Sequence, residues 1–324
     1  MTVEREGEQI LSPQSSVLSP RIGLLHERMR VEEKRLSEAL AARGATVVPL
    51  GLERVAFDLH ARGYDDFDLV IERCQDYTLA QTALRVLEHL GVPTINRPAT
   101  VDLCGNKVLM SAALVRAGVP TPRVEVALAT DAALEAVERL GYPVVLKPLV
   151  GGDARLLALV EDREAAEAVL EHKAMLGTDR HHVYYVQEYV RKPGRDIRVL
   201  VAGDEPFVAE YRASGQWVTS RDRKAQHQPC PLTPELAELA RRAAGAVGGG
   251  MLEIDLFEGE RGLLVNEVST ITQYRTFETT GGVDVAGALA DYALAVAERG
   301  ARNAERGTGI GYGSRSAAGG GGDA

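Results

Sequence analysis

Two carboxylates, Asp255 and Glu267, lie on the arms of a predicted β-hairpin and could hold a metal ion between them. The arms, residues 251–257 and 263–268, are apolar and strand-like, and glycines mark the turn that joins them. A turn centred near residue 260 places the two carboxylates opposite or diagonal to each other on one sheet face, with Cβ atoms roughly 4.5–8 Å apart. Such like charges repel unless a cation lies between them, and Mg²⁺ takes one or two carboxylates together with substrate phosphates. A hairpin with two solvated acids explains this stretch alone equally well.

Lysines and a glycine-rich turn upstream could hold phosphates. Lys147 lies near the end of the apolar stretch 143–149, and a lysine in a buried strand is costly unless it meets an anion. The turn that follows lets backbone N–H groups approach a phosphate and offers a planar guanidinium; its residues are Gly151, Gly152 and Arg155. Lys107 begins a predicted helix. A hairpin loop with a solvated arginine and a solvated helix lysine are the alternative interpretations.

Further candidates lie on the strands after residue 182. The strand end formed by Gln187, Glu188, Tyr189 and Val190 offers backbone donors and acceptors to an adenine edge, although it could be an ordinary strand end. The stretch 195–198 alternates charged and apolar residues, which places its charged side chains on one strand face. Pairing across a hairpin could also explain the charges there without any ligand; these are Asp196, Arg198, Glu210 and Arg212.

Composition and charge exclude several classes of protein. A formal net charge of −9 argues against a nucleic-acid-binding surface. The polar N-terminus has no signal-peptide pattern, and no run of about 18 apolar residues predicts a membrane span. The cysteines Cys74, Cys104 and Cys230 are too far apart for a zinc or disulfide pattern, which predicts reduced thiols in a cytoplasm.

Other catalytic patterns are missing from the sequence. It contains neither G-x-x-x-x-G-K-[ST] nor G-x-S-x-G, which argues against a P-loop and a nucleophile elbow. His26, His60 and His227 have no partners at metal-ligand spacing.

The chain of 324 residues is predicted to contain three folded units between two disordered tails. Strands and helices alternate over 21–98, which predicts an α/β unit with a parallel sheet. Residues 99–186 form a smaller α+β unit, and residues 187–300 form a third unit with hairpins. A strand predicted over 182–190 begins this third unit. The tails cover 1–20 and 301–324.

Taken in order, these pieces resemble the ATP-grasp ligases, most closely the lysine-biosynthesis enzyme LysX, its arginine-pathway relatives and the peptide-tailing ligase RimK. The resemblance covers roughly residues 21–299. It implies a three-domain ATP-grasp fold, with a Rossmann-like N-terminal domain, a small central α+β domain and a C-terminal α+β domain with an antiparallel sheet. The segments that carry it are 68–74, 104–107, 141–148, 185–190, 192–199, 255–258 and 263–268.

The resemblance implies an ATP cleft between the second and third units. Asp255 and Glu267 would bind Mg²⁺, with Mn²⁺ as a substitute, and Ser269 stands where the family usually has a metal-reaching asparagine. Arg198 and Arg212 would be catalytic. The nucleotide contacts would be Lys107, Lys147, Gly151, Gly152, Arg155, Gln187, Glu188, Tyr189, Val190 and Asp196.

The family phosphorylates a carboxylate and lets an amine attack the acyl phosphate. LysX-type enzymes join the C-terminal glutamate of a small acidic carrier protein to the α-amino group of an amino acid. A RimK-like enzyme that adds glutamate to a protein or peptide, and a catalytically impaired nucleotide-binding partner, are the alternatives. A symmetric homo-oligomer is expected, as for many such enzymes.

Two segments depart from the LysX pattern and leave the amino acid open. They are the loop 219–226 and the stretch that contains Gln273, Tyr274 and Arg275, which is predicted to edge the cleft and bind the amino acid. Arg275, or Arg198 across the cleft, would bind the α-carboxylate. The neutral Gln273 would meet a polar side chain.

Overall fold

A computed structural model describes residues 19–60, 63–151, 155–176, 182–219 and 224–305. The N-terminal unit is a parallel four-stranded sheet in the order β2-β1-β3-β4. Its central strands are buried on both faces, as expected for continuous apolar runs between helices. Its elements are β1 (Arg21–His26), α1 (Val31–Ala42), β2 (Thr46–Gly51), a 3₁₀ turn (Leu52–Arg54), β3 (Leu69–Glu72), α2 (Tyr77–His89) and β4 (Thr94–Ile95).

The central unit is an antiparallel sheet in the order β5-β8-β6-β7. The strand predicted to begin the third unit lies instead in the middle of this sheet, because its side chains at Tyr184 and Val186 join the central core. Its elements are β5 (Val124–Ala127), α5 (Thr130–Leu140), β6 (Val144–Lys147), β7 (Ala158–Val160), α6 (Arg163–Leu176) and β8 (Tyr184–Glu188). Two helices precede them, α3 (Pro98–Gly105) and α4 (Lys107–Arg116), and their buried residues Cys104, Met110 and Leu114 pack in the core of the third unit.

The third unit is an antiparallel five-stranded sheet in the order β11-β10-β9-β12-β13. Its strands are β9 (Arg195–Gly203), β10 (Glu205–Ala213), β11 (Gln226–Cys230), β12 (Gly250–Gly259) and β13 (Gly262–Ser269). Its helices are α7 (Pro234–Val247), α8 (Arg275–Gly281) and α9 (Val285–Glu305). Helix α9 therefore continues five residues into the stretch predicted as a tail. Residues 1–18 and 306–324 lie outside the described residues.

The two faces of the third sheet differ in polarity, and this difference positions the site. Along β9, Val199 and Val201 pack under α7, whereas Arg198 and Leu200 point to the opposite face. Helix α7 begins at a Thr233 cap, whose Oγ1 accepts from Leu236 N at 3.2 Å. The face away from α7 carries the charged residues at one end and joins a core shared with α1 and α9 at the other. In the described part of the chain, no helix combines the length and apolar character needed to cross a membrane.

Candidate active site

A cleft of about 350 Å³ lies where the central and third sheets face each other. Its walls come from β6 and β8 on one side and from all five strands of the third sheet on the other, with the start of α4 at one edge. Helix α1 of the N-terminal unit also reaches it, through Glu32. All three units therefore contribute to one cavity.

The predicted pairing of the two carboxylates is confirmed. Asp255 lies directly opposite Glu267 on β12 and β13, and both line the cleft. Among the described residues, the buried Asp255 Oδ1 has no hydrogen-bond partner and lies 3.8 Å from Arg198 Nε, and Oδ2 accepts from Arg212 Nη2 at 3.1 Å. Glu267 is one-third exposed and lies 3.6 Å from Lys107 Nζ. An unsatisfied buried carboxylate oxygen beside a second carboxylate fits a divalent cation, since hard cations take oxygen ligands.

A bulge in β13 adds Asn266 to the cleft, which the sequence analysis missed. The register shifts after Asp255, so that Leu256 pairs with Val265 and Asn266 is the extra residue. Strict alternation would send the neighbours Asn266 and Glu267 to opposite faces, yet both line the cleft. Ser269 also lines it, and its Oγ accepts from Ile271 N at 3.1 Å.

The two predicted phosphate lysines lie together in the cleft. Lys147 is buried and donates to Asn266 Oδ1 at 3.0 Å; Lys107 donates to Gly151 O at 2.8 Å. Burial, opposed in part by Glu267, lowers the pKa of Lys147 to about 8. Arg155 lines the cleft beside them. Gly152, predicted to bind the nucleotide, lies outside the described residues.

Most, but not all, of the side chains at the C-terminal end of β8 line the cleft. Gln187, Tyr189 and Val190 line the cleft, and Gln187 Nε2 lies 3.4 Å from Asn266 Oδ1. The Glu188 side chain is not part of the lining, because strand alternation turns it outward. There it accepts from Arg123 N at 2.7 Å and pairs with Arg261. The Glu188 side chain therefore does not line the cleft, and the contact of its backbone with adenine stays a prediction.

The charged strand residues form the cross-strand pairs that the sequence allowed. Arg198 is opposite Glu210 and Arg212 is opposite Asp196. Arg212 Nη2 lies 3.3 Å from Asp196 Oδ2. Arg198 donates to Glu210 at 2.6 Å and to Gln273 O at 3.1 Å. Burial opposes the charge of Arg198, but the carboxylates of its neighbours outweigh it and raise the pKa of Arg198; they are Glu253, Asp255 and Glu210.

Two of the three residues predicted to bind the amino acid line the cleft, and the third does not. Gln273 and Arg275 are exposed in the cleft lining. Tyr274 is fully buried, with its ring 5.8 Å from the Arg73 guanidinium and its hydroxyl donating to the Glu32 carbonyl. The prediction that Tyr274 edges the cleft is wrong, because the chain turns into α8 there and the ring enters the core shared with the N-terminal unit.

Several lining residues escaped sequence reasoning. Trp217 carried one signal, as the single tryptophan of the chain. Glu32 and His227 carried none, since they reach the cleft from distant elements. Thr219 and Ala225 line the cleft within the loop predicted to differ from LysX, and residues 220–223 of that loop lie outside the described residues. Other polar or charged lining residues that were missed are Lys192, Glu253 and Thr276.

Known proteins resemble the chain over most of its length. Residues 22–103 match the LysX preATP-grasp domain, and residues 104–293 match the RimK-like ATP-grasp domain. The alpha-aminoadipate–LysW ligase LysX of Sulfurisphaera tokodaii is 32% identical over 78% of this chain and 91% of its own. The glutamate–LysW ligase ArgX of Sulfolobus acidocaldarius is 31% identical over 84% of this chain and 97% of its own.

Solved structures agree with these matches. The crystal structure of a RimK domain protein ATP-grasp from Sphaerobacter thermophilus has a TM-score of 0.73 and 32% identity. It covers 85% of this chain and 99% of that chain. A D-alanine–D-alanine ligase of Bacillus anthracis, 18% identical with a TM-score of 0.63, shares the fold over 89% of this chain and 99% of its own. ATP-grasp ligases use ATP and typically Mg²⁺. The predicted ATP-grasp fold is confirmed, and the chain belongs to the RimK-like ATP-grasp family of ligases.

Proposed function

We propose that this enzyme joins the C-terminal glutamate of a small acidic carrier protein to the α-amino group of an amino acid. Relatives that share most of its length are named as ligases of the carrier LysW with aminoadipate or glutamate. The observation that carries the proposal is one cleft that combines two buried lysines with a facing pair of carboxylates. That combination suits a nucleoside triphosphate at one end of the cleft and a second substrate at the other.

The chemistry follows from the charges in the cleft. A carboxylate oxygen of the carrier attacks the γ-phosphorus of ATP, the bond to ADP breaks, and an acyl phosphate forms. The amine then forms the C–N bond and phosphate leaves with the electron pair of the C–O bond. Lys107 and Lys147 neutralise the phosphates during the first step. Asp255 and Glu267, with Ser269 nearby, would hold Mg²⁺ or Mn²⁺, which would supply further positive charge to the phosphates.

The cleft also supports an assignment for the amino acid. Arg198 is already engaged by Glu210 and Glu253, whereas the Arg275 side chain makes no hydrogen bond to the residues that the structure describes. Arg275 would therefore bind the α-carboxylate. The Gln273 backbone is held at both ends, by Glu253 through its N–H at 3.0 Å and by Arg198 through its carbonyl. Its side chain is thereby presented to the substrate side chain.

The function is tested with ATP, a LysW-type carrier protein and a panel of amino acids. We expect ADP release only when both carrier and amino acid are present, with the carrier mass rising by one amino acid less water. A carrier that lacks its last glutamate should give neither product. Glutamate added repeatedly to an unrelated peptide would instead favour a RimK-like enzyme. The absence of ADP under every condition would favour an impaired nucleotide-binding partner.

Arg275→Ala should raise the KM for the amino acid at least about tenfold, because a bidentate contact to its carboxylate is lost. The KM for ATP should stay unchanged. Arg116→Ala, at an exposed helix end outside the cleft, is the matched control. A Gln273→Glu variant should shift the preferred amino acid within the same panel. Strong preference for aminoadipate in both variants would show that this segment does not set specificity.

A further inference from the structure

The wall of the cleft formed by β11 carries a histidine held by a buried carboxylate. His227 lines the cleft, with about one-fifth of its side chain exposed, and its Nδ1 lies 3.0 Å from Glu210 Oε1. It is the single histidine among the described residues of the lining. Its spacing in the sequence predicted no partner, because Glu210 lies 17 residues away on the neighbouring strand.

Glu210 is itself fixed from two further sides. The same Oε1 accepts from Arg198 Nη1 at 2.6 Å and from Thr276 Oγ1 at 2.9 Å, and the residue is only 1% exposed. An oxygen that accepts from an arginine also acts as an acceptor toward His227, so Nδ1 carries the proton in this pair. When the ring is neutral and Nδ1 carries the proton, Nε2 keeps its lone pair. The Glu210 carboxylate orients the ring, as in other histidine–carboxylate pairs.

His227 also lies close to the reaction centre implied by the proposed function. It pairs directly with Arg212 on β10, so the two side chains share one face of the sheet. Arg212 Nη2 in turn lies 3.1 Å from Asp255 Oδ2. Adjacent strands are only about 4.8 Å apart, which places the imidazole one strand away from the arginine that touches the proposed metal ligand.

We propose that Nε2 of His227 removes a proton from the ammonium group of the incoming amino acid; this rests on the proposed function. An ammonium nitrogen has no lone pair and cannot attack. Transfer of one proton to Nε2 frees the pair that forms the C–N bond to the acyl carbon. The C–O bond to phosphate breaks, its electron pair leaves with phosphate, and the second N–H proton goes to that phosphate. His227 then returns its proton to water.

Other groups in the cleft suit this step less well. Lysine and arginine side chains in their charged forms have no acceptor. Glu210 and Glu253 are bound to Arg198, and Asp196 is bound to Arg212. Asp255 and Glu267 are the proposed metal ligands. Glu32 is a carboxylate, which is a weaker base than imidazole at neutral pH.

A comparison of two nucleophiles, the amino acid and hydroxylamine, distinguishes proton removal from the earlier steps of the reaction. Hydroxylamine is largely uncharged near neutral pH and traps acyl phosphates as hydroxamates without a protein base. We expect His227→Gln to slow turnover with the preferred amino acid by about 100-fold, and to change carrier hydroxamate formation by less than about threefold. The matched control is His172→Gln, an exposed histidine on α6 outside the cleft, which should keep both activities.

The outcomes are distinct. Hydroxamate formed at the normal rate shows that the variant is folded and still makes the acyl phosphate, so a selective loss with the amino acid supports the base. Equal loss with both nucleophiles, or no loss with either, overturns the role of His227. No hydroxamate from the unsubstituted enzyme with ATP and carrier overturns the proposed function, and this inference with it.

Discussion

Replacing Asp255 by asparagine is expected to reduce ADP formation by about two orders of magnitude or more while leaving the fold intact. Asparagine keeps the shape of the side chain but removes the charge that a divalent cation needs. The buried Oδ1, which has no hydrogen-bond partner among the described residues, is the atom whose bond to the cation would be weakened. Glu267→Gln should act in the same direction, because Glu267 lies directly opposite on β13. The measurement is steady-state ADP release, with the Mg²⁺ concentration varied.

The control for this experiment lies on the same hairpin. Glu258 pairs with Arg195 at 2.6 Å and is not among the lining residues. Glu258→Gln should therefore keep ADP formation and its dependence on Mg²⁺. If Asp255→Asn, with an unchanged circular dichroism spectrum, turned over like the original enzyme, the assignment of the carboxylate pair to a metal would be wrong.

Lys147→Met is expected to weaken ATP binding by about 1.5–3 kcal/mol, or about 10- to 150-fold, through the loss of a charge-assisted hydrogen bond. Methionine keeps most of the stem volume, so packing should survive. Lys107→Met should have a similar effect. Lys34→Met, an exposed lysine on α1, is the matched control. Unchanged affinity in both cleft variants would contradict their assignment to the phosphates.

The pH dependence of Lys147 gives an independent measurement. Its pKa of about 8, against an ordinary 10.5, means that the charged form costs the empty protein on the order of 3 kcal/mol. Below pH 8 Lys147 is protonated in both the folded and the unfolded state, so the full cost of burying its charge lowers the stability of the folded protein. Between about pH 8 and 10.5 the unfolded chain binds more protons, so the stability of the empty protein should rise with pH.

Nucleotide binding should raise the pKa of Lys147 again. Phosphates next to Lys147 favour its charged form, so at pH 8 we expect binding to take up about half a proton at this site. Calorimetry in buffers of different ionisation enthalpy measures that uptake, and Lys147→Met should lose it. Below pH 8 the empty variant should be at least as stable as the original, since it lacks the buried charge. A variant that is destabilised and keeps the proton uptake would contradict both expectations.

The local patterns of the sequence determined much of this site. Alternation along a strand has a period of two, so the facing carboxylates Asp255 and Glu267 followed from the apolar arms and the turn between them. The same rule allowed the charged residues of β9 and β10 to pair across the strands without a ligand, and Arg198 does lie opposite Glu210. The combination of these motifs in order was sufficient for the family and its fold.

Only the tertiary structure decided which side chains enter the cleft. A one-residue bulge brings Asn266 to the same side as Glu267, and strand pairing rather than composition sets that bulge. The turn into α8 buries Tyr274, which the sequence had placed at the cleft edge. His227 gains its partner because β10 and β11 pair, and Glu32 enters because α1 packs beside a segment 242 residues away. Such contacts depend on how distant elements pack together, and the periodicity of a single segment carries no record of that packing.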